Sequence, residues 1–266
     1  MDQRREIVDR VVARLRAAGC VAAEDEAALL ISGAADERVL AAWIGRREQG
    51  EPLAWILGTT TFCGRRIHVD EGVYVPRPQT EDLARRAVGL FPDGGLAVDL
   101  CTGSGAVATH LAVARPSATV IGTDVDGRSV GCARRNGVVA VLADLAAPFR
   151  SATADVVTAV APYVPTGALG LLPADVGRHE PLVALDGGVD GLDVVRRVVA
   201  DAERVLRPGG WLLIEIGGVQ ADVLAPSLAG FDEVSVWWDA DGDLRGLSAR
   251  RLGPRVGERQ RTTDRT

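Results

Sequence analysis

The chain has 266 residues, 47% hydrophobic and 25% charged, with a net charge of −6, a composition that fits two unequal soluble units. All 30 basic residues are arginine, which excludes a Walker-type P-loop and a pyridoxal phosphate Schiff base because each requires a lysine; the acidic balance argues against a general nucleic-acid surface. Cys20, Cys63, Cys101 and Cys132 form no C-x-x-C pair and suggest neither a metal site nor disulfides, while the absence of a ~20-residue apolar run or of a signal-peptide pattern leads us to expect a cytoplasmic protein away from membranes.

Ile7, Val8, Val11, Val12 and Leu15 fall at helical spacing, and two further amphipathic stretches follow near 23–33 and 36–48. Trp43, Leu53, Trp55, Ile56 and Leu57 supply much of the core of this small helical unit, and Gly58 closes it. From Thr59 to Val75, β-branched and aromatic residues around a Gly64-Arg65 break predict a hairpin. Pro76 and Pro78 hold the next segment extended, and Thr80, Glu81 and Asp82 suit the start of a helix running to about Leu90.

Strands and helices alternate from there: a strand over Leu96–Leu100, a helix from 105, a strand over Ala118–Thr123, a helix over Gly127–Asn136, and strands over Val138–Leu142 and Asp155–Val160. Gly191–Leu206 reads as a helix, Arg207-Pro208-Gly209-Gly210 as a turn, Trp211–Gly217 as a buried strand and Val219–Leu228 as a helix. Glu233–Trp238 and Arg245–Leu252 form the closing antiparallel pair, and the polar, aperiodic tail from Gly253 is expected to be disordered. This alternation predicts an α/β fold with a doubly wound parallel sheet that binds ligands at the C-terminal ends of its strands.

The most informative stretch is Val98-Asp99-Leu100-Cys101-Thr102-Gly103-Ser104-Gly105-Ala106, where a buried strand ends in an acid and a glycine-bearing turn leads into a helix. Gly103-Ser104-Gly105-Ala106-Val107-Ala108 fits the G-x-G-x-x-G/A fingerprint, and Asp124 stands about 20 residues on, where a ribose-binding acid is expected. The spacing alone suits a nicotinamide dinucleotide and S-adenosylmethionine equally.

The chain resembles the class I S-adenosylmethionine methyltransferases and, within them, the protein-(glutamine-N5) methyltransferases of peptide chain release factors. The resemblance extends to about Leu252. It is carried by Pro52-Leu53-Ala54-Trp55-Ile56-Leu57-Gly58, by Val75-Pro76-Arg77-Pro78-Gln79-Thr80-Glu81, by the turn after Asp99, and by His179-Glu180-Pro181 with Ala184-Leu185-Asp186-Gly187-Gly188 and Asp190-Gly191-Leu192. It implies a Rossmann-like doubly wound sheet with an antiparallel final strand and a small N-terminal helical domain. The expected division is 1–58 for substrate recognition, 59–75 as hairpin linker, 76–252 as methyltransferase domain and 253–266 as tail.

The resemblance further implies S-adenosylmethionine as cofactor, held by Asp99 and the turn Cys101, Thr102, Gly103, Ser104 and Gly105, with Asp124 at the ribose and Asp144 and Leu145 beside the adenine. Val160, Ala161, Pro162 and Tyr163 take the place of the family's Asn-Pro-Pro-Tyr, whose Asn side chain and following backbone carbonyl hold the substrate amide nitrogen. Two residues depart from the family pattern: Cys101 replaces a glycine, and Val160 replaces the Asn and cannot accept a hydrogen bond. His179 and Glu180 read as braces of a polar loop, and His68 and His110 as surface or packing residues.

Three functions follow as expectations: glutamine methylation in a protein such as a release factor, transfer to a small biosynthetic acceptor beside Val160 and Tyr163, or cofactor binding without catalysis.

Overall fold

The computed structural model describes residues 2–253, and the tail segment 254–266 lies outside them. Four helices open the chain: α1 (Asp2–Ala17), α2 (Ala23–Gly33), α3 (Glu37–Glu48) and α4 (Leu53–Leu57). Asp36 caps α3 by accepting from Val39 N at 2.8 Å, and Gly58 ends α4 in the left-handed region. Leu15, Ala27, Leu30, Ile44 and Ile56 are buried together in one core of this unit.

Trp55 belongs to a different core, the one beneath the sheet, and its indole Nε1 donates to Val73 O at 2.9 Å. Arg47 joins the two units as well, pairing with Glu26 at 2.6 Å and with Asp175 at 3.6 Å. A hairpin of β1 (Thr59–Phe62) and β2 (Arg65–His68) follows. Strand pairing stops at His68, short of the expected Val75, and the chain from there to Gln79 is held by other contacts.

After α5 (Thr80–Leu90) come β3 (Leu96–Leu100), α6 (Ala106–Ala114), β4 (Thr119–Asp124), α7 (Gly127–Arg135), β5 (Val139–Leu142) and β6 (Ala154–Ala159). The chain continues through α8 (Ala174–His179), α9 (Asp193–Val205), β7 (Leu206–Glu215), α10 (Gln220–Leu224), β8 (Phe231–Trp238) and β9 (Leu244–Arg251). These strands form a seven-stranded sheet in the order β5-β4-β3-β6-β7-β9-β8, parallel except that β9 is antiparallel to both neighbours. The order reverses between β3 and β6, so a crevice opens at their C-terminal ends, the general ligand position of such sheets.

Three expected boundaries shift for local reasons. The Arg207–Gly210 turn is a bulge inside β7, because Ala154 pairs with Leu206 and Val156 already pairs with Trp211. The helix expected to reach Leu228 tightens into a 3₁₀ turn at Ala225–Leu228, where Pro226 supplies no amide hydrogen. Helix α9 starts at Asp193 rather than Gly191, whose φ of +75° belongs to the preceding loop.

Candidate active site

The crevice brings together the turn after β3, the end of β4 and the segment after β6. Asp99 is buried at the end of β3, where its two oxygens accept from Thr102 Oγ1 at 2.6 Å and Thr158 Oγ1 at 2.7 Å. It thus braces the turn from below, and burial pushes its carboxyl up to about 6. The folded protein therefore holds this proton to higher pH than the unfolded chain does, so the stability contributed by Asp99 falls as pH rises from about 4 to about 6. Urea unfolding should show the native protein losing up to about 3 kcal/mol relative to Asp99→Asn across that window, and a pH-independent difference would refute the assignment.

Above this brace, Cys101 and Gly103 both adopt φ +55°, and with Gly105 the turn uses the left-handed region three times. Burial raises the Cys101 thiol, which is neutral at physiological pH. Gly105 sits at the start of α6 with φ +79°, and a Cβ there would lie 3.0 Å from Ala133 Cβ and Val138 Cγ2, so its absence lets the helices close up.

At the end of β4, Asp124 accepts from Gly103 N and Asp126 N, both at 2.9 Å. Each oxygen has a lone pair left over, and the residue lines the cleft with Gly103, Ser104, Val125 and Ser129. A carboxylate fixed by two amides beside a glycine turn is suited to a vicinal diol, which is the test that a ribose-bearing cofactor must meet. The cleft meets it.

The opposite wall comes from β6. Val160 and Pro162 line the cofactor cleft, whereas Val160, Ala161 and Tyr163 line a second cavity beside it. Three residues border both spaces, namely Tyr74, Val160 and Ala184. The loop Asp186–Gly191 fixes this wall: Val164 N donates to Leu185 O at 3.0 Å, and Gly187 N donates to Val164 O at 2.9 Å. A Cβ on Gly191 would stand 2.3 Å from Tyr163 O, in addition to the strain at φ +75°. Gly191→Ala should therefore cost about 2–4 kcal/mol in urea unfolding, against about 1 kcal/mol for Gly103→Ala, which meets nothing within 4 Å; equal losses would contradict this packing.

Behind the wall lies a polar network. Glu215, buried on β7, accepts from Tyr163 OH at 2.7 Å and Thr80 Oγ1 at 2.6 Å, and its carboxyl is raised by burial. Gln220 Nε2 donates to Tyr163 O at 2.8 Å. Glu180 is likewise buried, accepting from the Arg77 guanidinium and, at 3.4 Å, from Val75 N. His179 packs edge-on against Trp55 and lies 3.3 Å from Gln49 O. His179 is thus tied to the helical unit and Glu180 to the segment that joins that unit to the sheet.

Cys101, Thr102, Gly103, Ser104 and Asp124 all border the cofactor cleft, as does one edge of Asp99; Gly105 stands behind it at the start of α6. Asp144 and Leu145 do not border that space: Asp144, more than half exposed, pairs with Arg197 at 2.5 Å, and Leu145 is buried against the core. Sequence reading missed Glu215 and Tyr74. A lone acid inside the apolar run of β7 was one available signal, and another was that the chain has only two tyrosines, both of which meet at the second cavity.

The sheet order, the glycine turn on a buried acid and the carboxylate at the end of β4 define a class I S-adenosylmethionine-dependent methyltransferase. The solved 16S rRNA N2 G1207 methyltransferase of Thermus thermophilus shares this fold, with a TM-score of 0.52 at 18% identity over 73% of this chain and 44% of that one. The release factor glutamine methyltransferase of Geobacter sulfurreducens is 35% identical over 215 residues, which are 78% of this chain and 76% of that protein. The chain belongs to the release factor glutamine methyltransferase family. A further relative, the 4-amino-L-phenylalanine/4-methylamino-L-phenylalanine methyltransferase of Streptomyces pristinaespiralis, is 37% identical over 191 residues, 67% of this chain and 65% of its own. No protein-family model matches the chain.

Proposed function

We propose that this protein methylates the N5 nitrogen of a glutamine side chain in a protein partner of the peptide chain release factor type. The observation that carries the reading is a continuous path. The groove between the helical unit and the hairpin shares Arg77 and Asp175 with the second cavity, which in turn meets the cofactor cleft at Tyr74, Val160 and Ala184. A side chain presented by a protein loop can reach the cleft along it, with the helical unit of Asp2–Leu57 and the hairpin of Thr59–His68 gripping the partner.

S-adenosylmethionine, when bound, supplies an electrophilic methyl group on a sulfonium sulfur. Asp124 takes the ribose hydroxyls, while Cys101, Thr102, Gly103 and Ser104 form the floor for the methionine part. On the acceptor side, the Ala161 carbonyl accepts no hydrogen bond among the described residues and is available to a substrate N–H. An amide nitrogen is a poor nucleophile because its lone pair is delocalised, and N–H acceptors stabilise the positive charge that grows on it. Val160 and Pro162 border that position with apolar side chains.

A small aromatic amine is the competing acceptor, favoured by the apolar Val160 and by the Streptomyces relative. Mass spectrometry decides between them. Incubation with cofactor and a release factor carrying a Gly-Gly-Gln loop should add one methyl to that glutamine, while methylation of 4-amino-L-phenylalanine alone would overturn the reading. Among the described residues no helix is long and apolar enough to cross a membrane. We assign the protein to the cytoplasm on the strength of the proposed partner.

A further inference from the structure

If an amide nitrogen receives the methyl, it must sit where the cofactor cleft and the second cavity meet. Among the described residues only Tyr74, Val160 and Ala184 border both spaces, and of these Tyr74 alone has a polar side chain. Thr80 borders the cofactor cleft without the second cavity and Tyr163 the reverse, and both hydroxyls donate to Glu215.

The position of Tyr74 is fixed from both sides. The preceding Val73 carbonyl accepts from Trp55 Nε1, and the following Val75 amide donates to Glu180. The Arg77 guanidinium, itself paired with Glu180, lies 4.9 Å over the Tyr74 ring, within cation–π distance. Burial pushes the phenol up to about 12, and the Arg77 guanidinium donates to its oxygen, so at physiological pH it is a neutral hydroxyl with one lone pair left for a further donor.

We infer that the Tyr74 hydroxyl accepts a hydrogen bond from the substrate nitrogen at this junction, supplying from the opposite wall the side-chain acceptor that Val160 lacks. The inference deepens the proposed function and rests on it. Together with the Ala161 carbonyl, Tyr74 gives the two N–H bonds of a primary amide one acceptor each. As the nitrogen lone pair forms the bond to the methyl carbon and the carbon–sulfur pair leaves with sulfur, both N–H groups grow more acidic and both hydrogen bonds strengthen. The nitrogen then sheds one proton to solvent.

Tyr74→Phe keeps the ring beneath Arg77 and removes the hydroxyl, the acceptor offered to the substrate together with its bond from Arg77. We expect kcat for glutamine methylation to fall about 10–100-fold with the Kd for S-adenosylmethionine unchanged, and Val160→Asn to restore activity more strongly in the Tyr74→Phe background than in the native one. Activity of Tyr74→Phe within two-fold of the native protein would overturn the inference. So would a parallel loss of cofactor binding, or a Val160→Asn effect equal in both backgrounds. Absence of glutamine methylation by the native protein would remove the proposed function first, and this inference with it, a result distinct from a methylating native protein indifferent to Tyr74.

Discussion

Asp124→Ala is expected to weaken S-adenosylmethionine binding by about 100-fold or more in calorimetric titration. Two losses combine. The carboxylate that would accept both ribose hydroxyls disappears, and each hydrogen bond to a charged group contributes about 1.5–3 kcal/mol. The same carboxylate also holds Gly103 N and Asp126 N at 2.9 Å, so its removal frees both the glycine turn and the start of the segment leading into α7. Asp124→Asn, which retains one acceptor oxygen, should lose about ten-fold. Binding within about three-fold of native in the alanine variant would show that the cofactor does not lie across the ends of β3 and β4.

Val160→Asn should raise the rate of glutamine methylation on the order of 10–100-fold. Asn and Val are close in volume, so the substitution changes chemistry at the junction of the two cavities with little change in packing. The new carboxamide oxygen would accept from the amide nitrogen while positive charge develops, a preorganised contact of the kind whose removal elsewhere costs about 10²–10³ in rate. The gain sits below that range because Tyr74 already supplies an acceptor. Single-turnover measurement with a release factor separates the chemical step from partner binding. An unchanged or lower rate would mean that the nitrogen is held elsewhere.

The parts of this molecule legible in the sequence are those written locally. The strand-turn-helix at Val98–Ala106 is one, since a buried acid followed by glycines has few other uses, and the family resemblance turned it into a cofactor site. The opposite wall was legible only through that resemblance, at Val160–Tyr163. What the sequence withheld depends on contacts between distant segments. Tyr74 and Val160 are far apart along the chain and meet because Trp55 and Glu180 pin the backbone on either side of Tyr74. Glu215 becomes part of the site through Thr80 and Tyr163, each distant in sequence. Asp144 pairs with Arg197 on α9, a contact that no local pattern announces.

The boundaries that moved did so for similar reasons. Arg207-Pro208-Gly209-Gly210 has the composition of a turn and does turn the chain, yet Leu206 on one side and Trp211 on the other both pair with β6, so the strand continues through it. Pairing with a neighbour overrode the local signal.

The proposed function is delivery of a methyl group to a glutamine nitrogen. It is tested most directly by incubating the native protein with S-adenosylmethionine and a release factor bearing Gly-Gly-Gln, then mapping the modified residue by tandem mass spectrometry. One added methyl is expected, on the glutamine of that segment and dependent on Asp124. Cofactor binding by the same sample with that glutamine unmodified would contradict it.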